Sequence, residues 1–174
     1  DLDVKGVAFE QFMDGFFKGD FGQYFTPRPI IEFAVKMMKP EHDWDVLDPA
    51  CGSGGFLLHA LDYMRSQASE YYDKDTVDYF NYWHDFASKH LYGIEINDEI
   101  ARVAKMNMIV HDDGHTNVIS FDALDSIDKM HDHNRGFEAG KFDLILTNPP
   151  FGSTITKAEK PYLANYELGK TKDA

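Results

Sequence analysis

The sequence predicts a single α/β domain built on a doubly wound sheet of parallel strands, and three observations predict it. Short β-prone runs alternate with longer stretches of helical apolar spacing. Strands divided by helices pair in parallel through crossovers. Each strand-like run also stops on or beside a polar residue, namely Asp48, Glu95, Asp122 and Asn148, which would gather these groups in the crevice outside the carboxyl ends of the strands.

Taken in order, residues 3 to 17 carry Val4, Val7, Phe9, Phe12, Met13, Phe16 and Phe17 at helical spacing, ending near Gly19. GQYFTPRP, 22 to 29, is a turn-rich link, and IIEFAVKMM, 30 to 38, returns to helical spacing with Pro29 suited to its first turn. WDVLD, 44 to 48, is the first strand, and GFLLHALDYMRS, 55 to 66, a helix that starts straight after a glycine-rich turn. The aromatic stretch from Tyr71 to His90 has the spacing of a helix that packs its rings onto the sheet. YGIEI, 92 to 96, is the second strand, NDEIARVAKMNMIVH, 97 to 111, a helix, NVISF, 117 to 121, the third strand and FDLILT, 142 to 147, the fourth. HDH at 131 to 133 reads as part of a solvated polar connection without a third clear metal ligand, so no metal site is expected. Residues 153 to 174 are expected to be loop-like.

With 174 residues, 43% of them hydrophobic, the chain can bury one real core. A net charge of -13 argues against a surface that grips phosphate unaided, so a nucleic-acid partner would need basic surface from elsewhere. The lone Cys51 excludes an internal disulfide framework and suits a reducing compartment. No signal peptide or run of transmembrane length is evident, and a cytoplasmic protein is expected, with no membrane partner.

The glycine turn DPACGSGG, 48 to 55, lacks the lysine and Ser/Thr of a phosphate-binding P-loop, and Leu57 stands where G-x-G-x-x-G needs its last glycine. Its glycines permit close backbone approach to a ligand at a helix start, or simply a tight turn. Glu95 suits the two hydroxyls of a ribose, yet it lies much further from the glycines than the roughly 20 residues typical of dinucleotide enzymes.

DPACGSGGF, YGIEIN, FDALD and NPPF, preceded by GQYFTPRPI, resemble the ordered motifs of DNA methyltransferases that methylate the adenine amino group with S-adenosylmethionine. The upstream QYFTPR element is similar to that of the modification subunit of type I restriction-modification systems. The resemblance implies a Rossmann-like methyltransferase fold in a bacterial or archaeal cytoplasm. It divides the chain into an N-terminal helical segment with the QYFTPR element, 1 to 40, a methyltransferase core, 41 to 152, and a tail, 153 to 174. Methyltransferases of this class have more strands than the four legible here, so an incomplete domain, truncated after the fourth strand, is expected.

The same resemblance assigns roles. Gln23, Tyr24, Phe25, Thr26, Pro27 and Arg28 would wrap the methionine end of the cofactor, with Thr26 the main side-chain contact. Asp48, Ala50, Gly52, Ser53, Gly54 and Gly55 would hold its methionine portion, Glu95 its ribose, Ile96 one adenine face, and Asp122 with Ala123 its adenine amine. Phe25 as a core residue and Arg28 paired with a surface acid are the alternatives. The partners implied are double-stranded DNA with a flipped adenine, a specificity subunit and a restriction subunit.

NPPF would be the catalytic loop. An adenine amine is a poor nucleophile because its lone pair is delocalised into the ring; bonds accepted from it by the Asn148 oxygen and the Pro149 carbonyl would localise that pair, so no strong base is needed. Pro149 and Pro150 would stiffen the acceptors, and Phe151 would stack on the base, offsetting the few kcal/mol of flipping by about 1 to 3 kcal/mol. A strand-ending turn with an inward Phe151 is the alternative. Cytosine C5 chemistry needs a thiolate on this loop, and Cys51 is elsewhere. Other readings are a glutamine N5 methyltransferase, which typically carries tyrosine at the last motif position, a non-catalytic nucleotide-binding module, and a single-chain restriction-modification enzyme with the same chemistry.

Overall fold

The computed structural model describes residues 26–111, 117–151, 164, 166 and 167. The helix expected over 3 to 17, together with Gln23, Tyr24 and Phe25 and most of the tail, lies outside them. Helix α1, Arg28–Met38, opens at Pro27 with Pro29 in its first turn and closes at Lys39, whose left-handed backbone returns its N–H to Val35 O. Strand β1, Val46–Asp48, leads through the glycine turn into α2, Gly55–Tyr71. Helix α3, Val77–His90, then runs into β2, Leu91–Glu95. Helix α4, Asp98–Val110, is capped by the Asn97 side chain, with Asp98 and Glu99 at the positive end of its dipole. Strand β3, Val118–Ser120, α5, Ile127–His133, and β4, Leu144–Ile145, follow.

The strands form one parallel sheet in the order β3-β2-β1-β4. From β1 the chain steps outward through β2 to β3, then returns to add β4 on the other side of β1. Strand order therefore reverses beside β1, and the loops after β1 and β4 flank the switch point where doubly wound sheets bind ligands. Every residue of β1 and β2 is buried, as a sheet covered on both faces requires. Val46, Leu91, Val118 and Leu144 turn to one face, where Ile31, Leu61, Phe86 and Ala104 bring α1 to α4 against them. Leu47, Tyr92, Ile94 and Ile119 turn to the other, covered by Met130 of α5 and by Phe137. Phe137 is fully buried, a burial that contributes about 1.5–3 kcal/mol.

Two expectations need correction. The aromatic stretch is two helix ends divided by the polar turn at 73–76, and Thr76 restarts the helix by accepting the Tyr79 N–H. Only Trp83 and Phe86 of its rings enter the core; Tyr71, Tyr72 and Phe80 stay exposed. HDH is the last turn of α5 rather than a loop, because Ser126 caps the helix and Ile127 and Met130 dock it. There His131 approaches Phe137 O at 3.2 Å and the His133 ring lies 4.9 Å from Phe121. Among the described residues no group of three or more His, Cys, Asp or Glu could hold a metal ion, and no helix is long and apolar enough to cross a membrane.

Candidate active site

The carboxyl edge of the sheet is organised around the glycine turn. Asp48 ends β1 and accepts the Ala50 N–H at 3.1 Å, while the Cys51 N–H extends the pairing to Ile94 O of β2 at 2.8 Å. Gly52 and Gly54 take φ of +53° and +88°, a region L side chains rarely enter, so the turn demands glycine. A Cβ on Gly52 would meet no atom within 4 Å, which leaves room over the turn for a ligand.

Glu95 fastens this turn. Its Oε2 accepts the Gly52 N–H at 3.1 Å and its Oε1 the Asn97 N–H at 2.9 Å, so one buried carboxylate joins the end of β2 to the turn after β1. Each oxygen keeps acceptor capacity for a second donor. Asp48 is 2% exposed, and burial pushes its carboxyl up to about 7; the Thr147 hydroxyl and the Ala50 N–H oppose the rise, and the nearby Glu95 charge adds to it. A buried acid at a ligand crevice suits a cationic partner. Cys51 is buried behind the turn, and burial pushes its thiol well up, so it is no nucleophile.

Beyond β2, Ile96 is 65% exposed and presents an apolar face. Beyond β3, Asp122 caps its own turn through the Leu124 N–H at 2.9 Å, and Ala123 is partly buried beside it. After β4, Asn148, Pro149 and Pro150 are exposed, and Phe151 is 86% exposed, its ring outside the core rather than turned inward. Asn148 Nδ2 donates to Thr26 Oγ1 at 2.9 Å. The expected TPR and NPPF elements are therefore in contact. Arg28 is the first residue of α1, and Pro27 precedes it, exposed.

The model of the family described as N-6 DNA Methylase matches residues 1–172. The chain belongs to the N-6 DNA methylase family. Among relatives in or near this family, the type I restriction enzyme StySPI methylase subunit of Salmonella potsdam is 33% identical over 148 residues, 78% of this chain and 24% of its own length. The type II restriction enzyme and methyltransferase RM.BcgI of Heyndrickxia coagulans is 31% identical, over 87% of this chain and 22% of its own. The structure of the type I restriction enzyme EcoKI M protein, from Escherichia coli K12, superposes with a TM-score of 0.59 at 30% identity, covering 80% of this chain and 27% of that one. The chain spans about a quarter of the length of the curated relatives it matches.

Two groups at this N-6 DNA methylase edge escaped the sequence reading. Asn107 of α4, 1% exposed, donates through Nδ2 to Ser53 O at 3.0 Å and braces the glycine turn from behind. Its signal is an asparagine three residues after Ala104 and seven after Ile100, on the buried face of the helix. Tyr166 donates its hydroxyl toward the Ala123 and Leu124 carbonyls at 3.4 and 3.3 Å, and a tyrosine in a loop-like tail carries no such signal.

Proposed function

We propose that this chain is the cofactor- and base-binding part of an S-adenosylmethionine-dependent DNA methyltransferase that modifies adenine N6 within a type I restriction-modification system. The observation that carries this reading is the juxtaposition at the switch point: an exposed Asn-Pro-Pro-Phe loop follows β4, next to the ligand-ready glycine turn that follows β1.

The residues present fit the cofactor. The open space beside the Gly52 Cα is compatible with close approach of the cofactor, buried Asp48 suits its ammonium, Glu95 retains lone pairs for ribose hydroxyls, and exposed Ile96 offers a face to adenine. Asp122 and Ala123 would flank its adenine amine. When bound, S-adenosylmethionine supplies an electrophilic methyl group on a sulfonium. Asn148 Oδ1 and the Pro149 carbonyl then accept the two N–H groups of the target adenine amine and aim its lone pair at the methyl. Transfer would form the N–C bond as the methyl C–S bond breaks to leave a neutral thioether; the methylated amine, then cationic and acidic, would release its proton to water, so the edge needs no strong base. Phe151, free of the core, offers its ring to the flipped base.

The partners on this reading are DNA, a specificity subunit that reads the site and a restriction subunit, in a bacterial or archaeal cytoplasm. The acidic balance of the chain, -13, fits a division in which basic surface comes from elsewhere. The likeness to RM.BcgI keeps a second reading, the same chemistry in a single-chain restriction-modification enzyme. The full-length protein, with and without its partner subunits, is to be incubated with labelled S-adenosylmethionine and adenine-containing duplex. N6-methyladenine appearing in the duplex supports the proposal. Label on protein glutamine, or cofactor binding without transfer, points to the rival chemistries.

A further inference from the structure

We propose that Thr26 is a positioning residue for Asn148, holding the carboxamide so that Oδ1 faces the amine to be methylated, a role that rests on the methyl-transfer reading above. An asparagine side chain ends in a broad, two-fold torsion. Left exposed without a fixed partner, its amide samples both orientations. One presents Oδ1 to the substrate amine; the other presents an NH2 group, donor against donor, and cannot accept the amine N–H.

In the structure the carboxamide takes the first of these orientations. Asn148 is exposed, yet Nδ2 is engaged by Thr26 Oγ1 at 2.9 Å across 122 residues of chain, and this orientation turns Oδ1 away from Thr26. Both partners sit on stiff supports. Thr26 is partly buried immediately before Pro27, whose carbonyl accepts the Ile30 and Ile31 N–H groups at the start of α1, and α1 is anchored in the core by Ile31 and Val35. On the other side Pro149 and Pro150 limit the backbone beside Asn148. Holding the Asn148 amide is a role for Thr26 additional to the cofactor contact that the motif resemblance implies.

The test uses the full-length protein with its partner subunits and the variants Thr26→Val and Thr26→Ser. Turnover, KM for DNA and the dissociation constant for S-adenosylmethionine are measured with melting temperature as the folding control. Losing one orienting hydrogen bond should lower kcat about tenfold in Thr26→Val while cofactor affinity stays within about twofold of wild type. Thr26→Ser, which keeps the hydroxyl, should recover most of the turnover. Unchanged turnover in Thr26→Val overturns the assignment, as does a cofactor dissociation constant that weakens as far as turnover falls, or a serine variant as slow as the valine one. Wild-type protein that transfers no methyl to adenine would instead defeat the underlying reading.

Discussion

At the scale of single residues, the proposed function separates binding from chemistry. Asn148 touches Thr26 and lies outside the glycine turn's own network, so Asn148→Ala in the full-length protein should leave cofactor affinity nearly intact and abolish transfer, measured by calorimetry alongside a methyl-transfer assay. On the proposed reading Glu95 has two duties, since besides holding the ribose it fastens Gly52. Glu95→Ala should therefore weaken cofactor binding at least tenfold, from the loss of one or two charge-assisted bonds of about 1.5 to 3 kcal/mol each. A titration giving wild-type affinity would remove it from the site. Asp48 makes a pH prediction. Its folded value, about 7, lies above the usual aspartate value, so the stability it contributes is fully present below about pH 4 and is lost as pH rises through 7, a swing of roughly 4 kcal/mol. Denaturant unfolding of Asp48→Asn should lack that decline, and equal pH slopes in variant and wild type would contradict the burial argument.

Among the elements, the strand runs were legible because their residues are β-prone, apolar and bounded by turn signals; WDVLD and YGIEI contain the observed Val46–Asp48 and most of Leu91–Glu95. FDLILT shortens to Leu144–Ile145, since as an edge strand among the described ones it pairs with β1 alone. Helix α5 was hidden because its charged, histidine-rich residues show little apolar periodicity, although Ser126 was a usable cap signal. The contact between Thr26 and Asn148 was not legible at all, because a hydrogen bond across 122 residues exists only after the sheet has aligned both loops. Gly93 likewise carries no distinguishing signal in the sequence. A Cβ there would fall 2.8 Å from Leu57 Cδ1 and 3.2 Å from Cys51 Sγ, so β2 needs glycine to let the turn and α2 close over it. Gly93→Ala should cost about 1–3 kcal/mol of stability and lower the melting temperature by several degrees, whereas an unchanged melting curve would mean the close approach is not built into the core.

For the molecule as a whole, doubly wound order places the β1 and β4 loops at the switch point, and the proposed chemistry rests on that adjacency rather than on the bulk surface. An acidic chain, net -13, should hold DNA weakly by itself and gain affinity with a basic recognition partner. A filter-binding titration across salt concentration checks this, and tight salt-dependent binding by the chain alone would contradict it. The most direct test of the central claim, that Asn148 and its neighbours activate an adenine amine beside the glycine turn, is base-resolved sequencing of genomic DNA from cells carrying the intact gene, its deletion or Asn148→Ala. The account predicts N6-methyladenine at a defined site with the intact gene and its loss in both other strains. Methylation that persists in the Asn148→Ala strain, or falls on cytosine, would contradict it.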